Sequence, residues 1–257
     1  MRNRHLGSKV TLAVGTVSAL LIFVWPLVIS SHGVNQAGLA QGVFIAVLPL
    51  ILATLLTEFS SGKLDSKSLA VLGVLMALNS VVRLVGAGVA GIETAFFLIV
   101  LGGYVFGSSF GFILGSGSLL VSALLGAGVG PWLPFQMMAA GLVGLGAGWL
   151  GSMWTAKRFE RLVIAVYAVL ASFIYGGLMT MWNWPFLAGL GSSVSYTPGA
   201  PLVLNLQRFI TYELLTGGLI WDLGRAVTTV VLIAIAGKTM LATLRRAASK
   251  VDFGKSA

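Results

Sequence analysis

The sequence predicts an all-α polytopic membrane protein of about eight transmembrane helices, and three observations carry that prediction. The chain is 57% hydrophobic and only 9% charged, with a mean hydropathy of +0.98. A soluble domain this poor in charge would lack a polar surface. Apolar runs approach the roughly 20 residues that a helix needs to cross a bilayer. The basic residues also fall between those runs in a pattern that fixes an orientation.

Taken in order, the candidate spans lie near 10–30, 41–57, 68–86, 92–106, 108–126, 132–151, 160–181 and 214–237. The second and fourth are short and are read as tilted or partly re-entrant. The first follows Arg2, Arg4 and Lys9 as a secretory signal would, but its apolar run reaches Ile29 with no Ala-x-Ala site after it. It therefore reads as an uncleaved span. The polar stretch Glu58 to Lys67 divides a two-span extension, 1–62, from a six-span core, 63–257. The connections at 86–92, 107–108, 127–131 and 152–159 are short, so consecutive helices should pack as antiparallel neighbours. The connection 182–213, about 30 residues rich in aromatics and proline, reads as an ordered outer lid.

Of sixteen Lys and Arg, thirteen fall in Arg2/Arg4/Lys9, Lys63/Lys67, Lys157/Arg158/Arg161 and Lys238/Arg245/Arg246/Lys250/Lys255. Eight crossings put all four groups on one side with both termini. The positive-inside rule makes that side the cytoplasm, so the expected location is the plasma (cytoplasmic) membrane. The net charge of +9 and pI of 10.3 flank spans, where anionic lipid and the insertion machinery account for them, and no nucleic-acid partner is expected. There are no cysteines, and His5 and His32 stand alone, so neither a metal nor another cofactor is expected.

Small residues recur every four positions at Gly73/Ala77, Gly103/Gly107, Gly111/Gly115 and Ala140/Gly144/Gly148. Each such face suits close helix contact, either inside the bundle or against another subunit. No phosphate loop, H-E-x-x-H, G-x-S-x-G or magnesium-holding acidic cluster occurs, so no catalysis is expected. Any ATP-driven transport would need an ATPase on another chain.

Charges within spans are costly and mark cavities or pairs. Here they balance: Glu93, Glu213 and Asp222 against Arg83, Arg208 and Arg225. Asp222 and Arg225 share a helix face, either as a structural ion pair or as part of a cavity wall with Asn79 and Arg83. Trp132, Trp182, Trp184, Tyr196, Tyr212 and Trp221 lie at the same outer level, as an interfacial belt or as platforms for a ring system. Trp182-Asn183-Trp184-Pro185 reads as loop rather than helix.

Several blocks resemble the substrate-binding S components of energy-coupling factor (ECF) vitamin transporters. They are Ser68-Leu-Ala-Val-Leu-Gly-Val-Leu-Met-Ala-Leu-Asn79 with Arg83, Thr94 to Gly107, Phe110-Gly-Phe-Ile-Leu-Gly115, and Gly128-Val-Gly-Pro-Trp-Leu-Pro-Phe-Gln136 with Ala140 to Gly144. Trp182-Asn-Trp-Pro-Phe186, Asn205 with Arg208-Phe209, and Trp221-Asp-Leu-Gly-Arg-Ala226 complete the set, over about residues 66–246. The resemblance implies a six-helix core that captures a vitamin or related micronutrient from outside. It implies docking onto a T component with two ATPase subunits, and toppling to release cargo. Gly73 and Ala77 would be the docking face, and 86–92 and 182–213 would cap the pocket.

The candidate binding set is Asn79, Arg83, Glu93, Trp132, Gln136, Trp182, Asn183, Trp184, Tyr196, Asn205, Arg208, Asp222 and Arg225. The Gly-Pro-Trp-x-Pro-Phe-Gln and Trp-Asp-x-x-Arg-Ala blocks point toward cobalamin, while spacing alone leaves riboflavin and pyrimidine or queuosine precursors open. The two-helix extension departs from a minimal S component. The alternative reading is a membrane-embedded enzyme or assembly protein that uses Asp222, Glu93 and Arg225 on a lipid.

Overall fold

The computed structural model describes residues 16–17, 20–21, 23–28, 66–86, 92–154, 156–187, 193–216 and 218–250. Among them lie helices α1 (Trp25–Val28), α2 (Ser66–Gly86), α3 (Ala95–Phe106), α4 (Ser108–Ser122), α5 (Leu133–Met153), α6 (Glu160–Leu187), α7 (Leu202–Leu215) and α8 (Gly218–Ala248), and no strands. Five helical stretches are long and apolar enough to cross a membrane, namely Ser66–Leu84, Ser108–Ala127, Leu133–Met153, Lys157–Phe186 and Gly218–Ala248. The chain is an all-α polytopic membrane protein.

The six expected core spans all appear as helices, but the described residues hold five full-length spans rather than eight. The expected span 41–57 lies outside the described residues, as does most of 10–30. So do Arg2, Arg4, Lys9, Lys63, Lys255, His5, His32, most of the 58–67 linker and most of the 86–92 connection. The remaining short span is α3. Its 12 residues reach only about 18 Å, well short of the hydrocarbon thickness. Neighbouring helices enclose it on all sides, with Ile99, Val100 and Leu101 fully buried.

Backbone-to-backbone contact explains how α3, α4 and α5 pack so closely. A Cβ on Gly111 would strike the Gly144 carbonyl, and a Cβ on Gly144 would strike that of Gly111. Gly103 faces the same Gly144 carbonyl, Gly115 faces Ala140, and Gly148 sits on the Gly107–Ser108 backbone. Inside a bilayer, dispersion between closely fitted surfaces holds helices together, and glycine permits the closest fit. The turn between α3 and α4 is the single residue Gly107, whose φ of 95° lies where a side chain is strained. Three of the four small-residue faces are therefore internal. Gly73 and Ala77 are exposed, and among the described residues nothing lies within 4 Å of a Cβ placed on Gly73.

The long outer connection expected at 182–213 is mostly helix. α6 continues to Leu187 with Pro185 in its last turn, where the missing N–H costs only a terminal hydrogen bond. Pro201 then precedes α7, which buries Asn205, Phe209, Tyr212 and Glu213 on one face and turns Leu206, Ile210 and Leu214 outward. The loop between them is pinned by Asn205, whose amide accepts from the Thr197 N–H at 3.1 Å and donates to the Thr197 carbonyl at 2.9 Å.

Charge divides the two ends of the bundle. Lys67 shares a pocket with Arg246 and Lys250, and Lys157, Arg158 and Arg161 share another with Lys238 and Arg245. At the opposite end, Phe23 and Trp25 insert from the N-terminal segment. Phe23 meets Phe135 edge-on at 5.7 Å, and Trp25 stacks on Phe186 at 5.8 Å.

Candidate functional site

Four of the expected site residues converge near the end of α2. Arg83 donates to Ser122 Oγ at 2.9 Å and reaches Gln136 Oε1 at 3.5 Å, tying α2 to the end of α4 and the start of α5. Its Nε lies 3.5 Å from Glu93 Oε1, an ion pair without hydrogen-bond geometry. One turn earlier Asn79 is fully buried, and among the described residues neither its amide nitrogen nor its oxygen has a hydrogen-bond partner. Unpartnered buried polar atoms are rare in native proteins and each costs about 1–3 kcal/mol. The cluster is assembled but not satisfied.

Asp222 and Arg225 form a second, more tightly held cluster, in which Arg225 Nε alone lacks a hydrogen-bond partner among the described residues. They pair at 2.7 Å across one helical turn, and Arg225 also donates to the Ser172 carbonyl at 3.1 Å. The guanidinium stacks over Tyr175 at 4.6 Å and Phe96 at 5.4 Å. α6 admits this pair through Gly176, where any Cβ would collide with the Asp222 carboxylate. The pair is thus tied into the fold on several sides. Tyr175 stands within electrostatic reach of Arg83, Glu93, Arg225 and Asp222, which links the two clusters into one polar track.

Above the track is an aromatic wall. Trp182 stacks on Phe135 at 3.9 Å with rings 2° apart, and Trp184 meets Tyr196 and Phe209 edge-on, each at 5.6 Å. The expectation of a loop platform at Trp182–Trp184 is corrected: both rings project from the last turns of α6. Trp184 is fully buried and donates to the Val194 carbonyl at 2.9 Å. Asn205 and Arg208 serve the loop, Arg208 donating to Ser195 O at 3.2 Å and to Thr197 Oγ1. Trp132 is exposed, one turn before Gln136, and Asn183 is half-buried.

The sequence reading omitted Glu213 from the binding set. Its side chain is buried on the inner face of α7, against Gly218, and among the described residues neither carboxylate oxygen has a well-formed hydrogen bond, the Thr180 hydroxyl being its nearby donor. Burial pushes its pKa up, outweighing the opposing pulls of the nearby Thr180 hydroxyl and of Arg225. Its place eight residues after Asn205 puts both on one helix face, a signal available once 202–215 is read as helix. Ser172, Tyr175 and Phe96 were also missed. They carry no unusual spacing, and their role comes from contact with Arg225.

Helices enclosing a buried polar track beside aromatic rings define a membrane-embedded protein. No protein-family model, curated protein or solved structure matches this chain.

Proposed function

We propose that the chain is the substrate-specificity subunit of an ECF-type importer. It resides in the cytoplasmic membrane with both termini inside, binds a vitamin or related micronutrient from outside, and passes it to a T component and two ATPase subunits. It performs no catalysis of its own. The observation that carries this reading is the fully buried, wholly unpartnered Asn79 amide beside the loosely held Arg83 and Glu93. A ligand with several hydrogen-bonding groups would supply the missing partners, and Trp182 above offers an unpaired indole N–H to the same kind of molecule.

Two further features support it. The track lies at the end opposite the basic residues, which the positive-inside rule makes the outer end. Gly73 and Ala77 also stand free on the outward face of α2, as the docking role requires.

The test is equilibrium binding of the purified full chain to a vitamin panel led by cobalamin, with Asn79→Leu alongside wild type. Tight binding of one member, weakened about tenfold or more in the variant, supports the proposal, since one lost hydrogen-bonding group is worth about that factor. Absence of binding across the panel by a monodisperse protein would overturn the vitamin assignment. It would shift weight to an enzyme or assembly factor acting on lipid.

A further inference from the structure

At the basic end, the pocket between the start of α6 and the end of α8 has a volume of about 510 Å³. Its cations come from two segments far apart in sequence: Lys157, Arg158 and Arg161 on one wall, Lys238 and Arg245 on the other. The one carboxylate in the pocket, Glu160, is paired with Arg245 and fixes that side chain against α6. Among the described residues no carboxylate pairs with Lys157, Arg158, Arg161 or Lys238. Cations needed only for orientation can sit anywhere in a connecting loop. Here they enclose a space.

The depth of the pocket is informative. Lys238 lies seven residues before Arg245, so the cations on α8 extend over about 10 Å along its axis. A lysine at that depth snorkels its ammonium toward the interface while its stem lies among apolar groups. The pocket also opens onto hydrocarbon-facing surface. On α6, Leu162 lines it and Val166 follows at four-residue spacing, both more than half exposed. On α8, Ile235 and Val231 precede Lys238 on its own helix face and are likewise exposed. Each wall therefore has a cationic head and an apolar stem, as an amphiphile requires.

We propose that this pocket binds an anionic phospholipid, its phosphodiester held by Arg161 and Lys238 and its acyl chains lying along Leu162/Val166 and Val231/Ile235. The turn Lys157–Phe159 that leads directly into α6 brings the positive end of a long helix dipole to the pocket. Arginine contributes paired donors to phosphate oxygens and lysine a mobile point charge. A soluble phosphate would engage the cations alone and gain nothing from the apolar walls.

The experiment follows the melting midpoint of the full chain in dodecyl maltoside, titrated with dioleoylphosphatidylglycerol, dioleoylphosphatidylcholine or inorganic phosphate. Phosphatidylglycerol raises the midpoint of wild type, and the other two leave it unchanged. In Arg161→Gln/Lys238→Gln the midpoint without lipid stays at the wild-type value, because both side chains are exposed. The phosphatidylglycerol concentration for half effect rises about thirtyfold in that variant, since each basic residue near an anionic surface is worth about one factor of five. Equal shifts from phosphatidylcholine, a shift reproduced by phosphate, or an undiminished response in the double variant would each overturn the proposal. Should that variant fail to fold, Arg161→Gln and Lys238→Gln made singly each raise that concentration about fivefold, and an undiminished response in both would overturn the proposal.

Discussion

The same small-residue spacing occurs at Gly111/Gly115 and at Gly73/Ala77, with opposite results. In α4 it brings backbone against the Gly144 and Ala140 carbonyls of α5, while in α2 it faces away from the protein. Four-residue spacing guarantees only that two small residues share a helix face. What covers that face is a separate matter. The two buried arginines differ in the same way: Arg225 is held by a carboxylate, a carbonyl and two rings, whereas Arg83 reaches most of its partners at 3.5 Å beside an unpartnered Asn79. One of each pair supports the fold, and the other leaves capacity for something outside it.

The sharpest way to break the first contrast is Gly144→Leu. The new side chain would meet the Gly111 backbone, which cannot rotate away, so the cost should exceed about 3 kcal/mol. We expect no monodisperse protein by size-exclusion chromatography in detergent. A normally folded variant would show that α4 and α5 can separate freely.

Asp222→Ala comes next. It leaves Arg225 buried without its counter-charge, a loss of about 3–5 kcal/mol, and the melting midpoint should fall by on the order of 10 °C. A change smaller than that of Arg83→Gln would reverse the assignment of tightly and loosely held clusters.

Glu213→Gln should be stabilising at neutral pH by about 1 kcal/mol, read as a rise of about 2–4 °C. The sign follows from the raised folded-state pKa: the native state holds this proton more tightly than the unfolded chain, whose carboxyl titrates near 4.5. Stability from this group is full below that value and is lost as pH rises through the folded-state value. The advantage of the glutamine variant should therefore grow between acidic and neutral pH, and a pH-independent difference would rule out burial of the charge as its cause.

The smallest effect on the fold is expected for Ala77→Trp. Its exposed position predicts an unchanged melting midpoint and unchanged ligand binding, with uptake abolished in cells that contain the partner subunits. Loss of binding instead would place Ala77 inside the bundle.

Much of the core was legible in the sequence, since long apolar runs with glycine at the breaks left few alternatives. The helices at 66–86, 108–122 and 133–153 fall within a few residues of the expected spans. The segment 182–215 was not legible, because Pro185 and the aromatic pair signal loop locally while burial of Trp184 and Phe209 against each other favours helix. Of the site, Asn79, Arg83 and Glu93 were named as polar residues in or near spans and Gln136 within the Gly128–Gln136 block, and the structure brings the four together. Trp132 was named as an outer-level aromatic and is exposed.

By itself the sequence determined the helical membrane class, the order of the six core helices and the separation of basic from aromatic ends. These depend on composition and on period along one chain, which local geometry converts into helix faces. Only the tertiary structure decided which glycine face is internal, that Glu213 is buried against Gly218, and that Lys238 joins Arg161 around one pocket. Each of those depends on two segments distant along the chain arriving side by side, and no local pattern encodes the neighbour.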